Sequence, residues 1–236
     1  MEKEALQAKL EKLEELEQRI GYYEDRQAIE RLMYRSEVNH NQKNMHRWPM
    51  FYALEREDVS LEIADRGHCI GAQSIRGIFE SGYQIQINEG SYLMHWQTTP
   101  MIEIAADRQT AHGVWVSPGA ETVVNREGVP VAVWNFIRYA ADFCRENGEW
   151  KFLSYRIIMD SKADFDKGWT KDFYRWCYMG RMPGATEEPP LWNRCYMPAG
   201  YEQHVIPTCP EPFAGHEGED WIFREEPEYA RAKKGG

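Results

Sequence analysis

Cysteine is scarce. The chain has five, Cys69, Cys144, Cys177, Cys195 and Cys209, in 236 residues. They are odd in number, scattered and without a CxxC pair, which excludes a disulfide scaffold and a zinc knuckle. Positive charge is also in deficit. Twenty-eight Lys and Arg face 38 Asp and Glu, for a net charge of −10. No basic cluster stands out, so phosphate backbones and anionic membrane surfaces would be repelled. No apolar run approaches the ~20 residues of a membrane-spanning helix. The opening MEKEALQAKLEKLEELEQRI is charged throughout, unlike a secretory signal. A cytoplasmic, reduced protein is expected. Phosphate-cradling glycine loops and the GxSxG nucleophile motif are absent. The seven histidines show no HxH or HExxH spacing, so no metal ligation is expected.

What the chain has in abundance is aromatic surface. Nine Trp and 13 Tyr contribute to a 13% aromatic share. Large rings bury much area and line pockets for flat ligands. Leu6, Leu10, Leu13, Leu16 and Ile20 recur at helical spacing, which predicts a helix over 2–20. A second helix is predicted over about 24–40, starting after Asp25 and carrying Ile29, Leu32 and Met33. Trp48 to Leu54 reads as a short helix with Pro49 early in it. The period then changes to two. Val59, Leu61 and Ile63 mark a strand, and Gly71 opens a short helix with Ile75, Ile78 and Phe79. Four strand-like segments follow: 92–104, 112–117, 131–145 and 150–159. Turn signals at Ala106-Asp107-Arg108, Asn125 to Gly128 and Glu146-Asn147-Gly148 separate them. After 161 prolines multiply among Trp169, Trp176, Trp192 and several Tyr. Proline opposes regular elements, yet the aromatics oppose disorder. An ordered extension over 161–236, wrapped on the domain or on a neighbouring subunit, is expected. The divisions are therefore 1–22, an N-terminal helix; 23–160, an α+β domain; and 161–236, the extension.

Helices first, one strand, a short helix and then long antiparallel strands is an element order that resembles the nuclear transport factor 2-like, or SnoaL-like, superfamily. EDRQAIERLMYR resembles its first helix. Trp48 followed by Asp58-Val59 resembles its Trp-to-Asp-Val spacing, and GAQSIRGIFE its Gly-x-x-x-Ile helix. MHWQTTPMIEI resembles the strand that bears the family's pocket histidine, and NGEWKFLSYRI the closing strand. The likeness covers about 24–160. It implies a cone-shaped α+β fold in which a curved mixed or antiparallel sheet wraps around helices, with a pocket in the mouth. The superfamily includes scytalone dehydratase, bile acid dehydratase, ketosteroid isomerase, polyketide cyclases and a formaldehyde-releasing diarylpropane lyase. None needs a metal or an organic cofactor, so none is expected here. Non-catalytic members also exist.

His95 matches the family's catalytic histidine and sits in an apolar, aromatic strand. Imidazole both takes and gives a proton near neutrality; a hydrogen-bonded core histidine is the bland reading. Tyr34, on the inner helix, could hold a substrate oxygen. The family's helix-borne tyrosine and aspartate fall on Ser36 and on Asn41 or Asn44 in this sequence, so its His–Asp pair lacks the acid. Asn39 and His40 lie near enough to substitute. Glu62, Asp65 and Arg66 cluster at the end of the first strand, as pocket-mouth groups or as a surface turn. Trp96, Trp115, Asn135, Tyr139, Tyr155 and Arg156 lie on later strands, and alternation points only some of them inward. Arg156 could bind a developing oxyanion, with Tyr155 beside it, or form a salt bridge.

These residues imply a cofactor-independent lyase acting on a bulky hydrophobic, aromatic alcohol, with loss of water or of formaldehyde. An isomerase or cyclase, or a hydrophobic-ligand-binding protein without turnover, is the alternative. The leucine stripe and the extension are material for a homodimer or homotrimer.

Overall fold

A computed structural model describes residues 2–80, 92–124, 128–171, 182, 184–187, 206–216, 218 and 220–223. Trp176, Cys177, Trp192, Cys195 and His204 lie outside the described residues, as does the side chain of Asp65. The first element, α1 (Glu2–Asn41), is one continuous helix of 40 residues. It joins the two helices expected from the pattern, and the boundary drawn at 22 falls inside it. Gly21, at the expected break, costs a helix only ~1 kcal/mol, and no proline interrupts the run. Asp25 does not start a helix; it sits mid-helix and buried. Its carboxylate accepts from Arg108 Nε at 2.6 Å, from Trp150 Nε1 at 3.1 Å and from Arg145. This hub fastens α1 to the turns at the far end of the sheet.

Among the described residues, seven strands form one sheet: β1 (Ser60–Ile63), β2 (His68–Ile70), β3 (Leu93–His95), β4 (Thr98–Ile104), β5 (Thr110–Val124), β6 (Pro130–Glu146) and β7 (Glu149–Asp164). The order is β2-β1-β7-β6-β5-β3, and β4 also pairs with β5. All pairings are antiparallel except β1 with β7. The segment expected as one strand over 92–104 is split at Trp96 and Gln97. A 3₁₀ helix (Met45–Phe51) and α2 (Ala72–Glu80) close one side.

Two bulges on β7 decide which side chains face inward. Asp142 pairs with Ser154 and Phe143 with Phe152, leaving Leu153 as an extra residue. Phe136 pairs with Ser161 and Ile137 with Met159, leaving Asp160 extra. Each extra residue shifts the two-residue alternation by one. Phe152, then Tyr155, Ile157 and Met159, and finally Lys162 therefore share the inner face. Ile29 and Met33 of α1, Trp48, Phe51, Phe79, Trp115, Phe143 and Phe152 form the core between helices and sheet.

The described parts of the extension pack on this same domain. Met182 is buried in the main core, and its N–H donates to the Arg66 carbonyl at 2.8 Å. Thr186 and Glu187 pair with His68 on β2. Residues 206–216 and 220–223 cross the outer face of the sheet, where Phe213 and Trp221 are buried.

Candidate active site

The inner face of α1 is set by helical spacing: Ile29, Met33, Ser36, Glu37 and His40 turn toward the sheet. Facing them, β5, β6 and β7 present Glu121, then Asn135, Ile137 and Tyr139, then Ile157, Met159 and Lys162. Between them lies a cavity of about 140 Å³, lined also by Trp48, Leu61, Phe79, Arg66 and His95. A cavity of roughly this size accepts one aromatic ring. Most of its wall is apolar, and the polar groups converge on His95.

Three neighbours hold His95 in place. Asn41 takes both of its backbone groups: His95 N–H donates to Asn41 Oδ1 at 2.9 Å, and Asn41 Nδ2 donates to His95 O at 3.0 Å. The imidazole lies over Gly119, where an added Cβ would stand 2.5 Å from His95 Cδ2. The ring of His40 lies against it with centroids 4.8 Å apart.

On one side, His95 Nε2 is 3.4 Å from Glu121 Oε1 and 3.3 Å from Asn135 Nδ2. Glu121 also accepts from Lys162 Nζ at 3.1 Å and from Asn135. Burial alone would raise the Glu121 carboxyl. The Lys162 ammonium and the His95 hydrogen bond overcome it and hold the group far below the usual carboxylate range. A fixed carboxylate at Nε2 selects the tautomer protonated there, which leaves a lone pair on Nδ1. On that side, the Tyr139 hydroxyl lies 3.4 Å from Nδ1 and donates to Glu37 Oε2 at 3.4 Å. Burial, and then the charge of Glu37, push the Tyr139 phenol well above its ordinary value, so it stays a donor. A proton acceptor and a proton donor thus share one corner of a mostly apolar cavity.

The structure brings together in the cavity wall five of the residues singled out from sequence: His95, His40, Asn135, Tyr139 and Arg66. The others stand elsewhere. Tyr34 is 47% exposed, on the side of α1 turned away from the sheet. Asn39 donates to the Arg35 carbonyl at 2.7 Å, along its own helix. Trp96 is 43% exposed between β3 and β4. Trp115 is core, edge-on to Phe143. Tyr155 stacks behind Tyr139 with centroids 5.2 Å apart, one layer outside the cavity wall.

Glu62 and Arg156 point to the other face of the sheet. Leu61 and Ile63 line the cavity, so Glu62 between them faces away, in register with Arg156. Arg156 Nη1 donates to Asp142 Oδ2 at 3.0 Å, and both are buried. Asp142 also meets His112 Nδ1 at 2.8 Å and accepts from Trp221 Nε1. The His112 ring is stacked between Phe213 and Trp221, with centroids 4.0 and 4.8 Å away. The guanidinium therefore compensates a buried carboxylate beneath the extension and meets no oxygen in the cavity.

Sequence reasoning missed Glu37, Glu121 and Lys162. Glu37 follows Met33 by four residues and precedes His40 by three, a spacing that marks it as inward-facing. Glu121 alternates with Gly119 on β5. Only the bulge at Asp160 places Lys162 inside, and no sequence signal announces it.

The model of the SnoaL-like domain matches residues 21–156. Among solved structures, a hexachlorocyclohexane dehydrochlorinase of type 2 (LinA) superposes with a TM-score of 0.51 at 15% identity. It covers 63% of this chain and 91% of its own. A second LinA structure gives 0.51 at 14% identity, over 63% and 94%. A putative scytalone dehydratase from Novosphingobium aromaticivorans gives 0.50 at 14% identity, over 61% and 89%. At such identities the likeness is one of fold. No curated protein matches the chain. Among the described residues, no helix is long and apolar enough to cross a membrane.

Proposed function

The chain belongs to the SnoaL-like domain family, and from that premise we propose that it is a cofactor-independent lyase acting on a hydrophobic aryl alcohol. One observation carries this reading: His95 has Nε2 committed to an ionised Glu121 while Nδ1 and the Tyr139 hydroxyl face each other at 3.4 Å. A carboxylate at one ring nitrogen holds the imidazole in one tautomer and orientation, with the lone pair of the other nitrogen turned to the reacting group. The names dehydratase and dehydrochlorinase among proteins of the same fold denote eliminations and support the class.

In the elimination of water, Nδ1 takes the proton from the carbon next to the C–O bond. The electron pair forms the C=C bond as the C–O bond breaks, and the Tyr139 O–H turns from Glu37 to donate a hydrogen bond to the departing oxygen. The imidazolium then returns its proton to that oxygen, so water leaves and the site is restored. In the loss of formaldehyde, Nδ1 takes the hydroxyl proton, the C–C bond breaks, and the imidazolium protonates the carbon left behind. Both routes use the same pair, and the cavity holds one ring of the substrate. Proton transfer by one positioned residue is worth roughly 10²–10⁴ in rate. His95→Ala is therefore expected to lower turnover by at least that range while the fold survives. Mass analysis of products from a panel of aryl alcohols tests the class. A product lighter by water or formaldehyde supports it. A product of unchanged mass would reassign the site to an isomerase or cyclase, and tight binding without turnover to a ligand-binding protein.

A further inference from the structure

We propose that Glu37, His40 and His95 form a binding site for one divalent transition-metal ion, with Zn²⁺ the ion their chemistry fits. The site lies at the His95 of the lyase reading but does not rest on that reading's chemistry. One donor atom from each of the three side chains lies within 4.8 Å of the others. Among the described residues no other such cluster occurs.

Two of the donors face each other in a carboxylate–imidazole contact that is not a hydrogen bond. Glu37 Oε1 and His40 Nδ1 are buried and make no hydrogen bond, although they stand 3.3 Å apart. A buried polar atom without a hydrogen bond costs stability. Two ligands bound ~2.0–2.1 Å from a tetrahedral Zn²⁺ stand roughly 3.3–3.4 Å from each other. Glu37 and His40 therefore already have the separation of two ligands of one ion. Their spacing of three residues puts both on one helical face, and His95 enters from the strand opposite. The third donor lies within 4.8 Å of the other two and reaches the same bond length by side-chain rotation.

The surroundings are those that orient ligands. Gln97 Nε2 at 3.2 Å and the Tyr139 hydroxyl at 3.4 Å hold the other oxygen of Glu37, leaving Oε1 aimed inward. Glu121 lies 3.4 Å from the distal nitrogen of His95. A carboxylate behind a histidine fixes its tautomer and ring orientation. Two imidazoles and one carboxylate, with the fourth position open to the cavity, suit Zn²⁺ and neighbouring transition metals over Ca²⁺ or Mg²⁺. The HxH and HExxH patterns miss such a site because its ligands come from a Glu-x-x-His on a helix and a strand 55 residues away. An ion there would occupy the lone pair that His95 uses as a base. The loaded and proton-shuttling forms therefore exclude each other.

The test titrates the chelator-stripped full chain with Zn²⁺ by calorimetry, alone and as Glu37→Gln and His40→Ala, with folding of each variant checked by circular dichroism. The unsubstituted protein is also loaded with Co²⁺ for its absorption spectrum. Expected are one Zn²⁺ per chain, affinity weakened about tenfold or more in each variant, and Co²⁺ d–d bands without thiolate charge transfer. Failure to bind one Zn²⁺ per chain, full affinity in both folded variants, or a thiolate band that assigns the ion to a cysteine would overturn the proposal. Because these readouts need no substrate, their failure leaves the lyase reading standing, and failed turnover leaves the binding isotherm untouched.

Discussion

Replacing Asp142 by Ala removes the carboxylate on which three buried donors converge: Arg156 Nη1, His112 Nδ1 and Trp221 Nε1. Arg156 is only 1% exposed, so its charge cannot turn to water. Breaking a buried pair from one side costs roughly 3–5 kcal/mol, and each neutral donor left without an acceptor adds about 1–3 kcal/mol. Asp142→Ala is therefore expected at or above about 5 kcal/mol. Arg156→Met leaves a buried carboxylate that still has His112 and Trp221, and is expected nearer to about 3 kcal/mol. The double variant removes both members of this pair at once and should fall short of the sum of the singles by up to about 3 kcal/mol. Urea unfolding at neutral pH measures all three, with midpoints read at constant m. A domain stable by about 5–15 kcal/mol resolves such differences. The placement of Arg156 predicts that turnover per folded molecule is unchanged in Arg156→Met. Arg156→Met costing more than Asp142→Ala, or additivity in the double variant, would refute the network; loss of turnover in folded Arg156→Met would return the guanidinium to the active site.

The same network sets an acid limit. Burial opposes ionisation of Asp142, but Arg156 and then His112 win and lower its carboxyl. Its contribution to stability is complete above the ordinary value of 3.8 and is lost as pH falls through the lower native value. Glu121 acts in the same direction from 4.5 downward. Stability should hold to about pH 4.5 and fall below it, less steeply in Asp142→Asn; equal slopes in a circular dichroism titration would contradict this. Gly119→Ala places a Cβ 2.5 Å from His95 Cδ2 and 3.0 Å from the Met94 carbonyl. A displaced ring should lower kcat about 10²-fold in a folded protein, and unchanged kcat would show that ring placement does not matter. Leu6, Leu10, Leu13, Leu16 and Ile20 are 39–59% exposed along α1. Light scattering is expected to find the full chain as a homodimer or homotrimer and a form lacking residues 1–20 as a monomer; a monomeric full chain would end the idea.

Much of this fold was legible because local signals agreed. Val59, Leu61 and Ile63 alternate, Gly71 precedes α2, and Asn147-Gly148 turns β6 into β7. His95 was legible for a different reason, its place in a family pattern. The misassigned residues have physical causes. Tyr34 belongs to a helix whose inward face is fixed by Ile29, Met33 and His40, and as the residue after Met33 it is turned about 100° away from that face. Arg156 was placed in the cavity with Tyr155, although neighbours on a strand face opposite sides. The acid missing from the family's position was sought at Asn41 and Asn44. The structure gives Asn41 to the His95 backbone instead, and carboxylates enter from Glu37 and from Glu121, a strand away.

The bulges on β7 tie these errors together. A strand with strict alternation from Phe152 would face Ser154 and Arg156 inward and Tyr155 outward. The extra residue at Leu153 reverses this: it gives Tyr155 to the core and Arg156 to the outer network. The second extra residue, Asp160, reverses it again and brings Lys162 to Glu121. Without that turn the Glu121 carboxylate would lose the ammonium that keeps it ionised in a buried site, and with it the hold on the His95 tautomer. The placement of Lys162 beside Glu121, and through it the hold on the His95 ring, therefore depends on the extra residue Asp160. Deleting Asp160 leaves Met159, Ser161 and Lys162 opposite Ile137, Phe136 and Asn135, so Lys162 should stay beside Glu121 and turnover should be kept; inserting one residue between Ser161 and Lys162 should carry Lys162 to the outer face and lower turnover through Glu121.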